Sequence, residues 1–229
     1  MITLRDTARS PGTPVVNYCL IVLCGVLFLY EVSLGNQLDA FLYRYGLIPA
    51  QLSSTVKHGS LSLAAVGSVF SSMFLHAGWV HLIGTMLFLY VFGDNVEARL
   101  GHGGYLTFYL LCGGLAATAQ VLSAPASQVP MVGASGAIAG VLGAYFLLYP
   151  RARILTLIPL FVFFPVVEVS AFVFLGFWVL LQLAQAYLSG GIGAAEAGVA
   201  WWAHAGGFAA GAVSLPLFLL ARRGRRTRR

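Results

Sequence analysis

The sequence predicts an all-α membrane protein, a bundle of six transmembrane helices. Of its 229 residues, 59% are hydrophobic and only 9% are Asp, Glu, Lys or Arg, whereas roughly 25% of the residues of an average soluble domain are charged. The mean hydropathy is +0.86. Because so few charges cannot cover the surface of a soluble fold, the composition indicates an integral membrane protein.

Six apolar segments approach the length of about 20 residues that a helix needs to cross the hydrocarbon layer. They cover residues 15–32, 79–96, 105–122, 134–149, 169–187 and 200–220. The apolar stretch 154–167 is short and contains Pro159 and Pro165, so we interpret it as a loop or interfacial segment before the fifth span. The predicted parts are a short N-terminus (1–14), a membrane domain (15–220) with a first loop at about 33–78, and a basic tail (221–229).

Basic residues indicate how the bundle is oriented. The formal net charge is +6, and six of the thirteen basic residues are arginines of the tail. A basic run beside an apolar helix is typical of a cytoplasmic flank near anionic lipid, so we expect a lipid bilayer and no nucleic acid as partner. Six spans then leave both termini in the cytoplasm and the fifth-to-sixth loop, with Glu196, outside. Short extramembrane parts and no cleavage-site pattern favour a prokaryotic plasma (inner) membrane.

The three cysteines, Cys19, Cys24 and Cys112, all lie inside apolar runs. Their odd number and the absence of metal-ligand spacing argue against a disulfide framework or a zinc site. We therefore expect no metal and no cofactor.

Three polar residues of catalytic type lie within predicted spans, where such groups are costly and are functional candidates by default. His81, Ser135 and His204 each fall in the first turns of spans two, four and six. These spans run in the same direction, so the three side chains should lie near the outer side at similar depth.

The fourth span is short, which bears on the chemistry of Ser135. Its 16 residues span about 24 Å against a hydrocarbon core of about 30 Å, so the loop before it must descend into the membrane and line a hydrated pocket. His204 shares a helix face with Gly207 and Gly211, and small faces let helices approach closely. No acidic residue lies near the outer ends of spans four and six apart from Glu196 in the loop, so we predict a Ser135–His204 dyad with His204 as general base.

An acyl-transfer reaction also needs donors for the developing oxyanion. The backbone N–H of Ser135 is free at a helix N-terminus, Gly133 leaves room for a substrate carbonyl, and His81 is a candidate side-chain donor. Each residue alone has a simpler interpretation: Ser135 can bond its own helix, His204 can bridge helices, and His81 can anchor at the interface beside Trp79. Their common depth favours a site.

Four motifs resemble those of the rhomboid intramembrane serine proteases over about residues 43–211. They are HAGWVH (76–81), GDNVEAR (93–99), GASG (133–136) and AHAGGFAAG (203–211). The resemblance implies a six-helix rhomboid-like fold, with Ser135 as nucleophile, His204 as base and His81 at the oxyanion. It also implies that transmembrane proteins are the substrates, cut near the outer end of their membrane helix.

The sequence departs from the family pattern at three places. Thr85 stands where the family usually has an oxyanion-binding asparagine, and Ala139 where some members have an aromatic residue that stacks on the histidine. Residues 67–68 are Gly-Ser instead of Trp-Arg. A threonine hydroxyl can donate but reaches less far, and His204 must be oriented by another group.

Three functions remain open from the sequence, in decreasing order of support. The first is an intramembrane serine endopeptidase. The second is an inactive rhomboid-like protein that binds transmembrane clients, for which Thr85 leaves room. The third is a small channel or transporter that uses the polar outer cavity, although no inverted repeat is detectable.

Overall fold

The computed structural model describes residues 2–8, 10, 12–60, 62–157, 165–189 and 199–226. Over these residues the chain forms nine α-helices and one three-stranded sheet. The helices are α1 (Val15–Ser33), α2 (Leu38–Tyr45), α3 (Pro49–Lys57), α4 (Leu63–Ser71), α5 (Trp79–Leu100), α6 (His102–Ser123), α7 (Ser135–Leu148), α8 (Ala171–Leu188) and α9 (Trp201–Arg226). The strands are β1 (Ile2–Asp6), β2 (Arg153–Leu157) and β3 (Val166–Ser170).

Five of the described helices, α1, α5, α6, α8 and α9, are long and apolar enough to cross a membrane. They coincide with five of the six predicted spans. The predicted fourth span corresponds to α7, which is apolar but has only 14 residues and is therefore about 21 Å long. The count of six full-length spans is thus not reached in the described part of the chain. Helix α9 also continues past residue 220 to Arg226, into the predicted tail.

Helices α7 and α9 pack in parallel through glycines. A Cβ atom on Gly207 would overlap the backbone carbonyl of Gly136, and one on Gly211 would overlap that of Gly140, one turn further along both helices. Because both contacts advance in the same direction, the two helices start at the same end of the bundle. Helix α5 is parallel to them as well, since the Phe92 and Tyr145 rings meet near the other end, with centroids 4.9 Å apart.

The prediction of an all-α fold is wrong at the end of the bundle where α5 and α7 finish. There β1, β2 and β3 form an antiparallel sheet with β2 in the middle. Most of β2 and the start of β3 lie in the segment predicted to be a loop or interfacial piece, and β3 ends inside the predicted fifth span. Both strands are rich in β-branched residues and so suited to a half-buried strand. Pro165 immediately precedes β3, where a missing N–H is tolerated.

The N-terminal segment is part of this sheet rather than a separate tail. Asp6, at the end of β1, accepts hydrogen bonds from the Tyr145 hydroxyl of α7 and from Asn95 Nδ2 of α5, the latter at 3.0 Å. The boundary predicted at residue 15 therefore separates elements that are hydrogen-bonded together. Most of the predicted fifth-to-sixth loop, including Glu196, and the last three residues of the tail lie outside the described residues.

The predicted first loop, about 33–78, contains α2, α3 and α4 and is tied to the bundle by backbone hydrogen bonds. Leu47 and Met131 exchange two of them, at 3.0 and 2.7 Å. The Gly133 N–H donates to the Ser72 carbonyl at 2.8 Å. These bonds connect the first loop to the segment just before Ser135, so the loop helps to set where α7 begins.

A buried carboxylate and a buried imidazole complete this connection. Glu31, near the end of α1, accepts the backbone N–H of His76 at 3.2 Å. The His76 side chain is 1% exposed, and neither of its ring nitrogens has a hydrogen-bond partner among the described residues. Burial, together with the nearby His81, lowers the pKa of His76 to about 4, so this imidazole is neutral at physiological pH.

Substitution of Gly211 by Ala should destabilise the bundle by about 1–3 kcal/mol, because the added methyl group meets the backbone of Gly140 rather than a side chain that can move. The matched control is Gly114→Ala, on α6, where a Cβ atom meets nothing within 4 Å. Thermal unfolding in detergent micelles measures both. Equal melting temperatures for Gly211→Ala and Gly114→Ala would contradict the close contact between α7 and α9.

The wild-type protein should lose stability in acid because of His76, and the His76→Phe variant should not show this loss. The unfolded chain binds a proton on His76 below pH 6.5, while the folded chain does so only near pH 4, so wild-type stability falls as pH drops through this window. The expected loss between about pH 7 and pH 4.5 is about 2 kcal/mol, measured by denaturant unfolding in micelles. His58→Phe, at an exposed histidine, should keep this loss; a loss that persists in His76→Phe would refute the assignment.

Candidate active site

Ser135 and His204 meet at the end of the bundle where α5, α7 and α9 begin. Ser135 is the first residue of α7, and His204 lies in the first turn of α9. Ser135 Oγ lies 2.8 Å from His204 Nε2, a hydrogen-bond distance. The structure therefore brings together the two side chains that the sequence predicted to approach across the small faces of their helices.

The other ring nitrogen of His204 is held by a residue that sequence reasoning missed. His204 Nδ1 lies 2.7 Å from Oε1 of Gln182 on α8. A polar residue in an apolar span is a functional candidate by default, so Gln182 could have been selected from the sequence by that rule. Its distance of 22 positions from His204 gave no local signal of the contact.

Two tryptophans flank the same imidazole. The Trp178 ring, one turn before Gln182 on α8, lies 5.9 Å from the His204 ring at an interplanar angle of 34°, and the Trp201 ring meets it edge-on at 6.0 Å. Ala139 on α7 stands where the rhomboid pattern can have an aromatic residue beside the histidine. In this chain the aromatic rings beside His204 come from α8 and α9 instead. The two tryptophans and Gln182 together orient His204, a role that the sequence analysis expected of a group other than residue 139.

His81 and Gly133 adjoin the serine. A Cβ atom on Gly133 would lie 2.8 Å from His81 Cε1 and Nε2 and 3.5 Å from Ser135 Oγ, so both side chains converge on this glycine. Gly133 has a φ of +129°, in the region that favours glycine. A side chain here would both strain the backbone and displace His81. Gly133, which was predicted to leave room for a substrate carbonyl, is therefore also required because His81 packs against it.

Thr85, which stands at the position of an oxyanion-binding asparagine, does not direct its hydroxyl at the serine. It lines the same cavity as His81, but its hydroxyl donates to the His81 backbone carbonyl at 2.6 Å. Such a bond to the carbonyl four residues earlier is common for threonine in helices, because the short side chain cannot reach further. The hydroxyl is consequently used within α5 and is not directed at the serine.

These residues surround a cavity of about 680 Å³. Ser135 and His204 face it from α7 and α9, His81 and Thr85 from α5, and Trp178 from α8. The rest of the lining is mainly apolar. In the part of the chain that the structure describes, no three His, Cys, Asp or Glu side chains are grouped closely enough to hold a metal ion.

The arrangement has the parts of a base-activated nucleophile. A neutral histidine that accepts a hydrogen bond from a serine hydroxyl can take its proton during attack on a carbonyl carbon. Ser135 is the first residue of α7, so its backbone N–H has no acceptor within the helix and is available to a developing oxyanion. The His81 ring lies beside the same position.

The chain is similar to known proteins over more than half of its length. Residues 64–221 match the family model described as the rhomboid domain. The chain is 33% identical over 134 residues to rhomboid protease GluP from Bacillus subtilis (strain 168), which covers 58% of this chain and 24% of that protein.

Two further relatives come from eukaryotes. Rhomboid protein 1, mitochondrial, from Saccharomyces cerevisiae (strain ATCC 204508 / S288c) is 33% identical over 144 residues, which cover 61% of this chain and 38% of the relative. Rhomboid-like protein 11, chloroplastic, from Arabidopsis thaliana is 41% identical over 70 residues, which cover 31% of this chain and 25% of the relative. The matched parts thus span well under half of each relative. The family model covers more than half of this chain, and its apolar helices fit a membrane environment: the chain is an integral membrane protein of the rhomboid family.

Proposed function

We propose that this chain is an intramembrane serine endopeptidase that hydrolyses peptide bonds in or near the transmembrane segments of membrane proteins. The observation that carries the proposal is the 2.8 Å contact between Ser135 Oγ and His204 Nε2, at the wall of a cavity inside an apolar bundle. Membership of the rhomboid family, and the similarity to a relative named as a protease, support the same activity.

In the first half of the reaction, His204 Nε2 accepts the proton of Ser135 as Oγ attacks the carbonyl carbon of the scissile bond. The protonated imidazole then donates this proton to the leaving amine, and an ester remains on Ser135. In the second half, His204 takes a proton from water as its oxygen attacks the ester carbon, and the protonated imidazole then returns this proton to Ser135 Oγ as the bond to the acid product breaks. Serine and histidine thus act as a dyad, with no carboxylate in proton transfer.

The oxyanion of both tetrahedral intermediates is stabilised by donors already in place. The backbone N–H of Ser135 is one, and the ring of His81 is the second. The Thr85 hydroxyl contributes little, because it is bonded to the His81 carbonyl. We therefore expect a slower enzyme than one with a third donor at this position.

The substrate must present an extended backbone to this cavity. A peptide bond within a membrane helix is shielded by its own hydrogen bonds, so segments that contain residues with low helix propensity should be cut most readily. Helix α7 is about 21 Å long, shorter than the hydrocarbon layer of about 30 Å. Ser135 at its start therefore lies below the membrane surface, where the cavity supplies the water that hydrolysis needs.

The charges of the chain support a proposal for its location. We propose a prokaryotic plasma membrane with both termini in the cytoplasm, because the last turns of α9 and the chain beyond carry six arginines. The sheet then lies on the cytoplasmic side and the Ser135–His204 pair near the outer side. Transmembrane proteins would be cut close to the outer end of their helices.

Substitution of Ser135 or His204 by Ala should abolish cleavage of a single-span reporter substrate in proteoliposomes, with a fall in rate on the order of 1,000-fold or more. The matched controls are Ser214→Ala, whose hydroxyl bonds the Ala210 carbonyl within α9, and His58→Ala, at an exposed histidine. Both should retain the wild-type rate.

Other outcomes would refute the proposal in different ways. Cleavage that survives Ser135→Ala would exclude the serine mechanism. A folded wild-type protein that retains a reporter without cutting it would favour the client-binding alternative. Solute uptake that is insensitive to Ser135→Ala would favour a channel or transporter.

Thr85 provides a test of the oxyanion site. Thr85→Val should change kcat less than about twofold, because the hydroxyl it removes is bonded to the His81 carbonyl. Thr85→Asn should raise kcat by about 10-fold, since a longer amide can donate to the oxyanion. Both are measured on the same reporter. A large loss of kcat in Thr85→Val would show instead that the native hydroxyl takes part in the reaction.

A further inference from the structure

We propose that Gln182 is a positioning residue of this active site, which holds His204 in the tautomer with the proton on Nδ1 and thereby leaves Nε2 free to accept the proton of Ser135. The inference rests on the proposed function for its catalytic consequence. Its structural content, the position of a proton on one imidazole, stands independently of any substrate.

The contacts of the Gln182 side chain determine which way its amide points. Oε1 lies 2.7 Å from His204 Nδ1, and Nε2 donates to the Trp178 backbone carbonyl at 3.4 Å. A carbonyl oxygen can only accept a hydrogen bond. If the amide were turned over, its oxygen would face the Trp178 carbonyl oxygen, and two acceptors would be in contact where Nε2 now donates a hydrogen bond. The amide oxygen therefore faces the histidine.

An amide oxygen beside Nδ1 requires a proton on Nδ1. Because a neutral imidazole carries one N–H, Nε2 then has a free lone pair, and it is Nε2 that lies 2.8 Å from Ser135 Oγ. The opposite tautomer would leave the amide oxygen and a bare Nδ1 facing each other, and Nε2 could not act as a base. Gln182 thus selects the only neutral form of His204 that can activate the serine.

Burial makes this selection effective. Gln182 is 8% exposed, so water does not compete strongly for its oxygen, and an unpaired oxygen or N–H here would carry the full cost of desolvation. Trp178 and Gln182 lie one turn apart on α8 and both contact His204. The imidazole is therefore held on its face by one residue and at its Nδ1 edge by the other.

A second buried glutamine shows what a purely structural contact looks like in this chain. Gln120, on α6, accepts the backbone N–H of Ala203 at 3.2 Å, a group that has only one protonation state, and so stabilises the start of α9. Gln182 instead contacts a side chain that can exist in two neutral tautomers. Loss of the acceptor oxygen should therefore change the tautomer of His204 when it occurs at Gln182, but not when it occurs at Gln120.

The direct test is the protonation state of the His204 ring, read by 15N NMR of histidine-labelled protein in liposomes at a pH where the imidazole is neutral. The signal is assigned by its absence in His204→Gln. Wild-type protein should carry the proton on Nδ1. Gln182→Met, which keeps the length but loses the acceptor, should show a mixture of tautomers, and Gln182→Glu, which keeps an acceptor oxygen, should retain the proton on Nδ1.

The kinetic test uses the same variants on the reporter substrate. Gln182→Met should lower kcat by about 10-fold, the value of one hydrogen bond, with KM changed less than about twofold. Gln182→Glu should recover most of the loss. The matched control is Gln185→Met, the same exchange on an exposed part of α8, which should leave both constants unchanged. If Gln182 had only a structural role, Gln182→Met would lower the melting temperature and the amount of folded enzyme, but it would not lower kcat while leaving KM unchanged.

Each outcome decides the inference. A wild-type His204 with its proton on Nε2, or a Gln182→Met variant with unchanged tautomer and kcat, would overturn it, and the wild-type spectrum gives this answer even if Gln182→Met fails to fold. If the wild-type protein cuts no reporter and Ser135 is inert to a fluorophosphonate, the proposed function fails, while the NMR comparison still decides the role of Gln182. If Ser135→Ala abolishes cleavage but Gln182→Met does not alter it, only the inference about Gln182 fails.

Discussion

The close approach of α7 and α9 is the contact on which the rest of the site depends. Glycine at 207 and 211 lets the backbone of α9 touch the carbonyls of Gly136 and Gly140, an approach that any larger residue would prevent. His204 lies less than one turn before Gly207, on the same face. The distance of 2.8 Å between Ser135 and His204 is therefore set by backbone packing, which is stiff, rather than by the conformation of long side chains.

The two ends of the bundle are built differently, and this separation suits a hydrolase in a membrane. Near the end with the sheet, hydrogen bonds connect several helices: the Glu97 carboxylate accepts the N–H groups of Val16 and Asn17 at the start of α1, and Asn17 also bonds the Tyr105 hydroxyl and the Leu89 carbonyl. At the opposite end a cavity of about 680 Å³ remains open beside the serine. The hydrogen bonds between helices and the cavity thus lie at opposite ends of the bundle.

Much of this could be predicted from the sequence because the signals were local. Apolar length located the membrane helices, and the recurrence of His81, Ser135 and His204 at the starts of parallel spans located the site. The sheet was missed because its strands come from residues 2–6, 153–157 and 166–170, and their pairing depends on contacts between segments that are distant in the sequence. Gln182 was missed for a similar reason, since its partner lies on another helix. Thr85 could be identified as unusual, but only the structure shows that its hydroxyl is bonded to its own helix.

Covalent labelling measures most directly whether His204 activates Ser135 in the open cavity, because it needs no substrate. The protein in liposomes is treated with a fluorophosphonate, and the modified peptide is identified by mass spectrometry. We expect modification of Ser135 in the wild-type protein, loss of the modified peptide in Ser135→Ala, and a strong reduction of labelling in His204→Ala. A folded wild-type protein whose Ser135 is unmodified, or a label that is equally efficient without His204, would contradict it.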